Sequence, residues 1–290
     1  MVRALLKTFR IRQWTKNAFV FTALVFDLKL TDPTSLSRTF AAFLLFCLLS
    51  SAVYVINDIK DVEADRNHPT KRNRPIASGK LSIRAAWTAA VILLVLTLVP
   101  ALILSTGFFV VCTTYLIINL AYSTWLKHVP IIDVIIIAAG FVLRAVAGVS
   151  VIHVERFSPW LYVVITLFSL YIGFGKRRAE LTTLAEDANL HRRVLEGYTI
   201  TFLDQLITIV SSTTIIAYSL YTFSAPNVPT DYSMMLTIPF VMYGIFRYLY
   251  LINVKQEGGA PEELLLTDRP LQITVFLFGI AVVLIFYIFR

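Results

Sequence analysis

The sequence predicts an all-α protein that crosses a membrane many times, and three observations predict it. Of 290 residues, 57% are hydrophobic and only 15% charged, with a mean hydropathy of +0.74. Soluble domains of this size carry far more charge, so lipid is the solvent for which the chain is built. Apolar runs approaching the ~20 residues that cross a bilayer recur from the second decade to the last residues. The cations, finally, are divided unequally between alternate loops.

Taken in order, the first run covers 17–30 and follows Arg3, Lys7, Arg10, Arg12 and Lys16. No small-residue cleavage site succeeds it, so it is expected to be retained. The second, 39–56, starts beyond the Asp32-Pro33 turn signal; the third and fourth, 85–104 and 108–125, are parted by Ser105-Thr106-Gly107. The fifth, sixth and seventh cover 131–152, 159–175 and 202–223. Prolines 226 and 229 precede the eighth, 236–252, and Gly258-Gly259-Ala260-Pro261 precedes the ninth, 273–289. Connections are short, so one transmembrane domain over 1–290 is expected.

Nine spans place loops alternately on two sides. Of 26 Lys and Arg, 21 fall on one side, Lys29, Arg38, Arg156 and Arg290 on the other, and Arg144 within a span. Cytoplasmic loops carry the positive excess, which puts the N-terminus in the cytoplasm and the C-terminus outside, in a cell membrane. The net charge of +8 thus reflects topology, and no soluble basic face exists to bind nucleic acid. Cys47 and Cys112 lie in apolar runs without spaced His or Cys companions, so they read as packing residues and not as a disulfide or zinc framework.

Acidic residues follow the same asymmetry, which topology does not require: Asp58, Asp61, Glu63, Asp65, Glu180, Glu186 and Asp187 fall in the first and third inner loops. The sharpest pattern is Asn57-Asp58-x-x-Asp61-x-x-x-Asp65 at the inner end of the second span. Continued helical geometry places the three aspartates at i, i+3 and i+7 on one face. Such carboxylates repel unless cations neutralise them. Magnesium suits: it takes hard oxygen ligands, usually one or two carboxylates completed by substrate phosphates and water. A phosphorylated substrate is implied. For any single aspartate the competing reading is a solvated, helix-capping acid.

The string His68-Pro69-Thr70-Lys71-Arg72-Asn73-Arg74-Pro75-Ile76-Ala77-Ser78-Gly79 follows directly. Arg72 and Arg74 can fork onto phosphate oxygens and Lys71 can serve as a point charge, although an inner loop is basic in any case. His68 has no visible partner and reads as structural.

The string from Asn57 to Gly79 resembles the first signature of the UbiA superfamily of intramembrane prenyltransferases. Within it the likeness is to the decaprenyl-phosphate phosphoribosyltransferases, on Arg10-x-Arg12-Gln13-Trp14-x-Lys16-Asn17, Tyr122-Ser123-x-x-Leu126-Lys127, Gly140-Phe141-Val142-Leu143-Arg144-Ala145, Gly258 to Pro261 and Asp268-Arg269-Pro270. The resemblance implies a nine-helix UbiA-like bundle over the whole chain. It also implies Mg2+ held by Asp58, Asp61 and Asp65, and substrate contacts at Lys16, Asn17, Asn57, Lys71, Arg72, Arg74, Tyr122 and Lys127. Aromatic prenyltransferases of the superfamily would show a second aspartate-rich motif after the sixth span. Here stand Lys176-Arg177-Arg178-Ala179-Glu180, where three cations and one carboxylate suit an extra phosphate better than a second metal cluster, as on phosphoribosyl diphosphate (PRPP), with Lys176, Arg177 and Glu180 the expected substrate-site residues. The plain alternative is a set of inner-loop cations at a helix end.

Asp133 and Arg144 stand about three turns apart on the fifth span, where unpaired charge is costly. Asp133 can support a ligand cation or pair with Lys127; Arg144 can reach a lipid phosphate or a structural partner. Tyr122 reads equally as an interfacial anchor. The resemblance implies transfer of 5-phosphoribosyl from PRPP to a polyprenyl phosphate, releasing diphosphate, on the way to arabinose-containing envelope polymers. Partners are then PRPP, the polyprenyl lipid and membrane lipids, with homo-oligomerisation open. Alternatives are a polyprenyltransferase acting on an aromatic acceptor such as 4-hydroxybenzoate, or a transporter; the latter is disfavoured because charge gathers in loops and not at the midplane.

Overall fold

The computed structural model describes residues 2–68, 71–154, 158–186, 193–257, 264–265 and 267–287. Pro69, Thr70, Arg156, Asp187, Arg192, the Gly258-Gly259-Ala260-Pro261 string and Arg290 lie outside them. Among the described residues all regular structure is helical. Short α1 (Val2–Phe9) leads through a 3-10 stretch (Ile11–Phe21) to α2 (Thr22–Phe26). Then come α3 (Pro33–Lys60), α4 (Val62–Arg66), α5 (Ile83–Leu104), α6 (Thr106–Thr124) and α7 (Ile132–Val149). The chain continues through α8 (Pro159–Glu186), α9 (Ile200–Ser224), α10 (Ile238–Asn253) and α11 (Arg269–Tyr287).

Eight of these, α3 and α5 to α11 with the 3-10 turn before α10 counted in, are long and apolar enough to cross a bilayer. Their outer faces are largely apolar: along α5, Val91, Val95, Val99 and Ile103 are all more than half exposed. Such surfaces are stable only against hydrocarbon. This is an integral membrane protein.

The expected span over 17–30 is not one continuous α-helix: it is 3-10 as far as Phe21 and α-helical only over Thr22–Phe26. Between Lys16 and Asp27 the apolar run has only ten residues, too few for a spanning helix. The chain instead runs antiparallel along α3 in 3-10 form. Arg10 meets Asp58, Trp14 Nε1 donates to Ser51 Oγ at 3.0 Å, and Asn17 Nδ2 donates to Ser50 Oγ at 3.2 Å. Phe21 packs on Phe43 with ring centroids 5.2 Å apart. At about 2 Å per residue, eleven 3-10 residues cover about 22 Å, which matches fifteen α-helical residues at about 1.5 Å. The stretched backbone lets a short segment follow α3 from Asp58 to Phe43.

Two compact units divide the chain: Met1–Lys127 with Leu143–Glu155, and His128–Val142 with Arg156–Arg290. In the first, Val20, Phe46, Leu49, Phe108, Cys112 and Tyr115 form a buried cluster. Both cysteines are buried and free, as packing residues are. A Cβ on Gly148 would lie 1.9 Å from the Val20 carbonyl oxygen, so only glycine lets α7 approach the 3-10 backbone this closely. Asp32 caps α3 by accepting from the Thr34 and Ser35 amides, with Pro33 at the first helical position. Arg38 donates to the Val151 and Leu104 carbonyl oxygens at 2.6 and 2.7 Å. This cation on the sparsely charged side closes helix ends.

In the second unit Tyr171, Phe174, Leu203, Ile207, Ile245, Tyr248 and Leu251 form the core between α8, α9 and α10. Helix α8 runs eleven residues beyond the expected end at 175, carrying the 176–180 string in helical form.

Candidate active site

Helix α3 ends at Lys60, and Asp61 at its C-cap links it to α4. Helical bonding nevertheless continues: the Asp61 amide donates to the Asn57 carbonyl at 2.9 Å and the Asp65 amide to the Asp61 carbonyl at 2.8 Å. The i and i+7 carboxylates therefore meet. One Arg74 nitrogen, Nη1, donates to Asp58 Oδ1 at 3.1 Å and to Asp65 Oδ2 at 2.7 Å. Both acids are buried, at 3% and 4% exposure, a placement that a carboxylate tolerates only when paired. Arg74 gets there because Ile76 and Leu81 bury themselves beneath α3 and α5, folding the basic loop back over the helix end. Arg10 Nη2 donates to Asp58 Oδ1 at 2.5 Å, its guanidinium stacked on Tyr54.

Asp61 faces another cation. Lys127 Nζ donates to Asp61 Oδ1 at 2.7 Å. Ser123 Oγ donates to Asn57 Oδ1, joining the end of α6 to the end of α3. Tyr122, beside it, is half-buried. Arg72 is exposed and makes no ion pair among the described residues, and Lys71 is exposed too. The Lys71 amide donates to His68 Nδ1 at 3.3 Å; partial burial and then the Lys71 charge hold the imidazole below its ordinary pKa. His68 is thus a turn former.

Arg144 finds partners inside the first unit. Its Nε donates to Asn17 Oδ1 at 2.8 Å and its Nη2 to Tyr115 Oη at 3.0 Å, and its Cζ lies 5.6 Å from the Phe46 ring centroid. Asn17 is fully buried, tied onward to Cys47 Sγ and Ser50 Oγ. Of the two options open for Arg144, the structure supplies the structural partner. Lys16, next to Asn17, is half-buried.

The second unit holds its own charged cluster. Arg177 Nε lies 2.9 Å from Asp133 Oδ2, both side chains almost wholly buried, and Arg177 Nη1 donates to Glu180 one turn on. The Nε and Oδ2 atoms attract by charge but are misaligned for a hydrogen bond. Tyr198 completes the group, donating to Asp133 Oδ1 at 2.7 Å and accepting from the Ile131 amide at 2.5 Å. Burial, then the bond to Asp133, raises the phenol above its ordinary pKa. Arg178 donates to Asp204 at 2.6 Å and to the Ile252 carbonyl oxygen. Asp133 therefore pairs with Arg177, while Lys127 belongs to Asp61. Lys176 is half-buried at the same turn.

Among the described residues no three His, Cys, Asp or Glu side chains converge closely enough to hold a metal unaided. Two carboxylates do suit one. The oxygens of Asp58 and Asp65 already share a single cationic atom, and magnesium usually takes just one or two protein carboxylates. The residues fit the ion.

Sequence reasoning did not single out Arg10, Ser123, Tyr198 or Asp204 as partners of site residues. Arg10 carried a signal, since it opens the Arg10-to-Asn17 string. The others sit at 66, 65 and 26 residues' remove from Asn57, Asp133 and Arg178, contacts that no local pattern encodes.

Residues 18–267 match the family model described as the UbiA prenyltransferase family. The chain belongs to that family. Among UbiA relatives, decaprenyl-phosphate phosphoribosyltransferase of Corynebacterium glutamicum is 34% identical, over 98% of this chain and 87% of the relative. The Mycobacterium tuberculosis protein of the same name is 35% identical, over 94% and 91%. In structure, a UbiA homolog from Archaeoglobus fulgidus bound to GPP and Mg2+ superposes with a TM-score of 0.75 at 21% identity, covering 98% of this chain and 100% of that one.

Proposed function

We propose that this UbiA protein transfers the 5-phosphoribosyl group of PRPP to decaprenyl phosphate or a similar polyprenyl phosphate and releases diphosphate. The observation that carries the reading is the pair of buried carboxylates, Asp58 and Asp65, converging on one cation position. The substrates are those of the reaction that two relatives, similar over nearly their whole length, are named for.

One oxygen of the acceptor phosphate forms the bond to ribose C1 as the C1–O bond to diphosphate breaks. The electron pair leaves with the diphosphate, and no proton need move, because the acceptor is already an anion. Charge builds on the leaving group while the ribose passes through an oxocarbenium-like state. A bound magnesium ion would neutralise that growing charge. Asp58 and Asp65, with Asp61 flanking, would hold the ion, and Asn57 would be steadied by Ser123. Arg74 and Lys127, already held by the carboxylates, would orient phosphate oxygens as donors positioned before reaction, and the exposed Lys71 and Arg72 would add further phosphate contacts. In the second unit we assign Lys176 a phosphate contact, and Asp133, Arg177 and Glu180 the positioning of that turn of α8. The division of cations supports a plasma-membrane protein with these carboxylates on the cytoplasmic side.

The test is direct. Purified protein, Mg2+, PRPP labelled in the ribose and decaprenyl phosphate are incubated and the lipid extracted. Label in the lipid, dependent on the acceptor, is expected. Label confined to water, together with transfer from a polyprenyl diphosphate to 4-hydroxybenzoate, would overturn the reading in favour of aromatic prenylation.

A further inference from the structure

The break between α1 and the 3-10 stretch makes a pocket. Arg10, at the break, has φ 53 and ψ 51, a left-handed turn uncommon outside glycine. It brings side chains of both elements around one open groove of about 540 Å³ lined by Leu6, Lys7, Arg10, Ile11, Arg12 and Gln13. Three of the six are cations. Lys7 and Arg12 are exposed, and neither makes an ion pair among the described residues. Leu6 and Ile11 are 47% and 46% exposed, an apolar lip on the charged groove. The third cation, Arg10, leads inward, since its guanidinium also bonds Asp58 at 2.5 Å.

We propose that this pocket receives the phosphate of the polyprenyl phosphate acceptor, with the first isoprene units lying across Leu6 and Ile11. The assignment rests on the phosphoribosyl-transfer reading. A dianionic phosphomonoester matches a site lined by three cations better than a phosphodiester headgroup with its single charge. A hydrocarbon tail matches the lip, which a free anion would leave unused. The link through Arg10 to Asp58 sets an acceptor oxygen beside the carboxylates that serve the leaving group.

The experiment uses full-length protein in nanodiscs of neutral phosphatidylcholine, with a parallel set containing phosphatidylglycerol, and compares wild type with Lys7→Gln/Arg12→Gln. A control, Lys80→Gln/Arg84→Gln, removes the same charge elsewhere. Retention of labelled decaprenyl phosphate without PRPP gives Kd, and turnover gives KM for each substrate. The pocket variant should raise Kd and KM for the lipid about tenfold or more, the cost of one charge-assisted bond, while KM for PRPP shifts less than twofold. The charge-conserving Lys7→Arg/Arg12→Lys should restore lipid binding. An unchanged lipid Kd in the pocket variant would overturn the proposal. So would displacement by inorganic phosphate as effective as by unlabelled lipid, or a loss confined to discs containing phosphatidylglycerol. Wild type that retains the lipid through this pocket yet transfers no phosphoribosyl would uphold the pocket and reject the reaction.

Discussion

Asp58 and Asp65, two turns apart, each bring a carboxylate oxygen within 3.1 Å of the same Arg74 nitrogen. Two buried acids joined by one cation depend on each other's charge. Asp58→Asn should lower phosphoribosyl transfer by at least about 100-fold, the usual scale for losing a charge-stabilising group. The variant stays folded, because Asn still accepts from Arg10 and Arg74. Initial rates at saturating Mg2+, with size-exclusion profiles as the folding check, decide it; a rate within threefold of wild type would reject the site. Asp61, more exposed and paired with Lys127, should lose less.

The buried Asp133–Arg177 pair makes the opposite case, stability before activity. Removing one partner leaves a buried charge uncompensated, which costs about 3–5 kcal/mol. Arg177→Met alone should therefore lower the melting temperature in detergent more than Asp133→Leu/Arg177→Met, in which both charges go. Equal or reversed melting temperatures would show that the pair does not behave as a buried unit.

Gly148 packs with its α-carbon against the Val20 carbonyl, so Gly148→Ala must push the 3-10 stretch off α7. Overpacking of this kind costs about 1–3 kcal/mol. Thermal unfolding should report it, and the displaced Asn17 would loosen its bond to Arg144.

Acid dependence can be read at Asp268. The Arg247 guanidinium donates to it at 2.7 Å, and this bond, helped by the Leu271 amide, holds its carboxyl below the ordinary value. A depressed folded pKa means a contribution fully present above about pH 3.9, the unfolded value, and lost as pH falls through the folded pKa. The difference in melting temperature between wild type and Asp268→Asn should hold constant from pH 7 to 5 and shrink below pH 4. A difference that grew on acidification would contradict the pairing.

Topology is open to labelling. Glu63 and Asp231 are both exposed, one beside the carboxylates and one in the turn before α10. In a cysteine-free background, Glu63→Cys should react with membrane-impermeant maleimide only after lysis, and Asp231→Cys in intact cells. Reversed labelling would invert the assigned orientation.

Legibility in the sequence followed the range of the forces. The aspartate triad at i, i+3 and i+7 and the apolar runs are local, and both appear in the fold: Asp58 joins Asp65 through Arg74, and eight runs form long helices. Asp61 turned to Lys127 because α3 breaks at that residue, placing its side chain toward the loop after α6. The 3-10 course of 11–21 was illegible, since it arises from hydroxyl and amide partners on α3 that a window over 17–30 does not contain. Arg177 looked like a free cation because its partner Asp133 lies 44 residues upstream.

The 3-10 stretch has a consequence for biogenesis. Emerging from the ribosome before α3, residues 11–26 hold too little greasy surface to partition into a bilayer unaided, and Trp14 and Asn17 find hydrogen-bond acceptors on α3, at Ser51 and at Cys47 and Ser50. The translocon should therefore keep this segment waiting until α3 has been made and admit the two as a hairpin. Truncated nascent chains ending before residue 60 should accordingly remain extractable by alkaline carbonate.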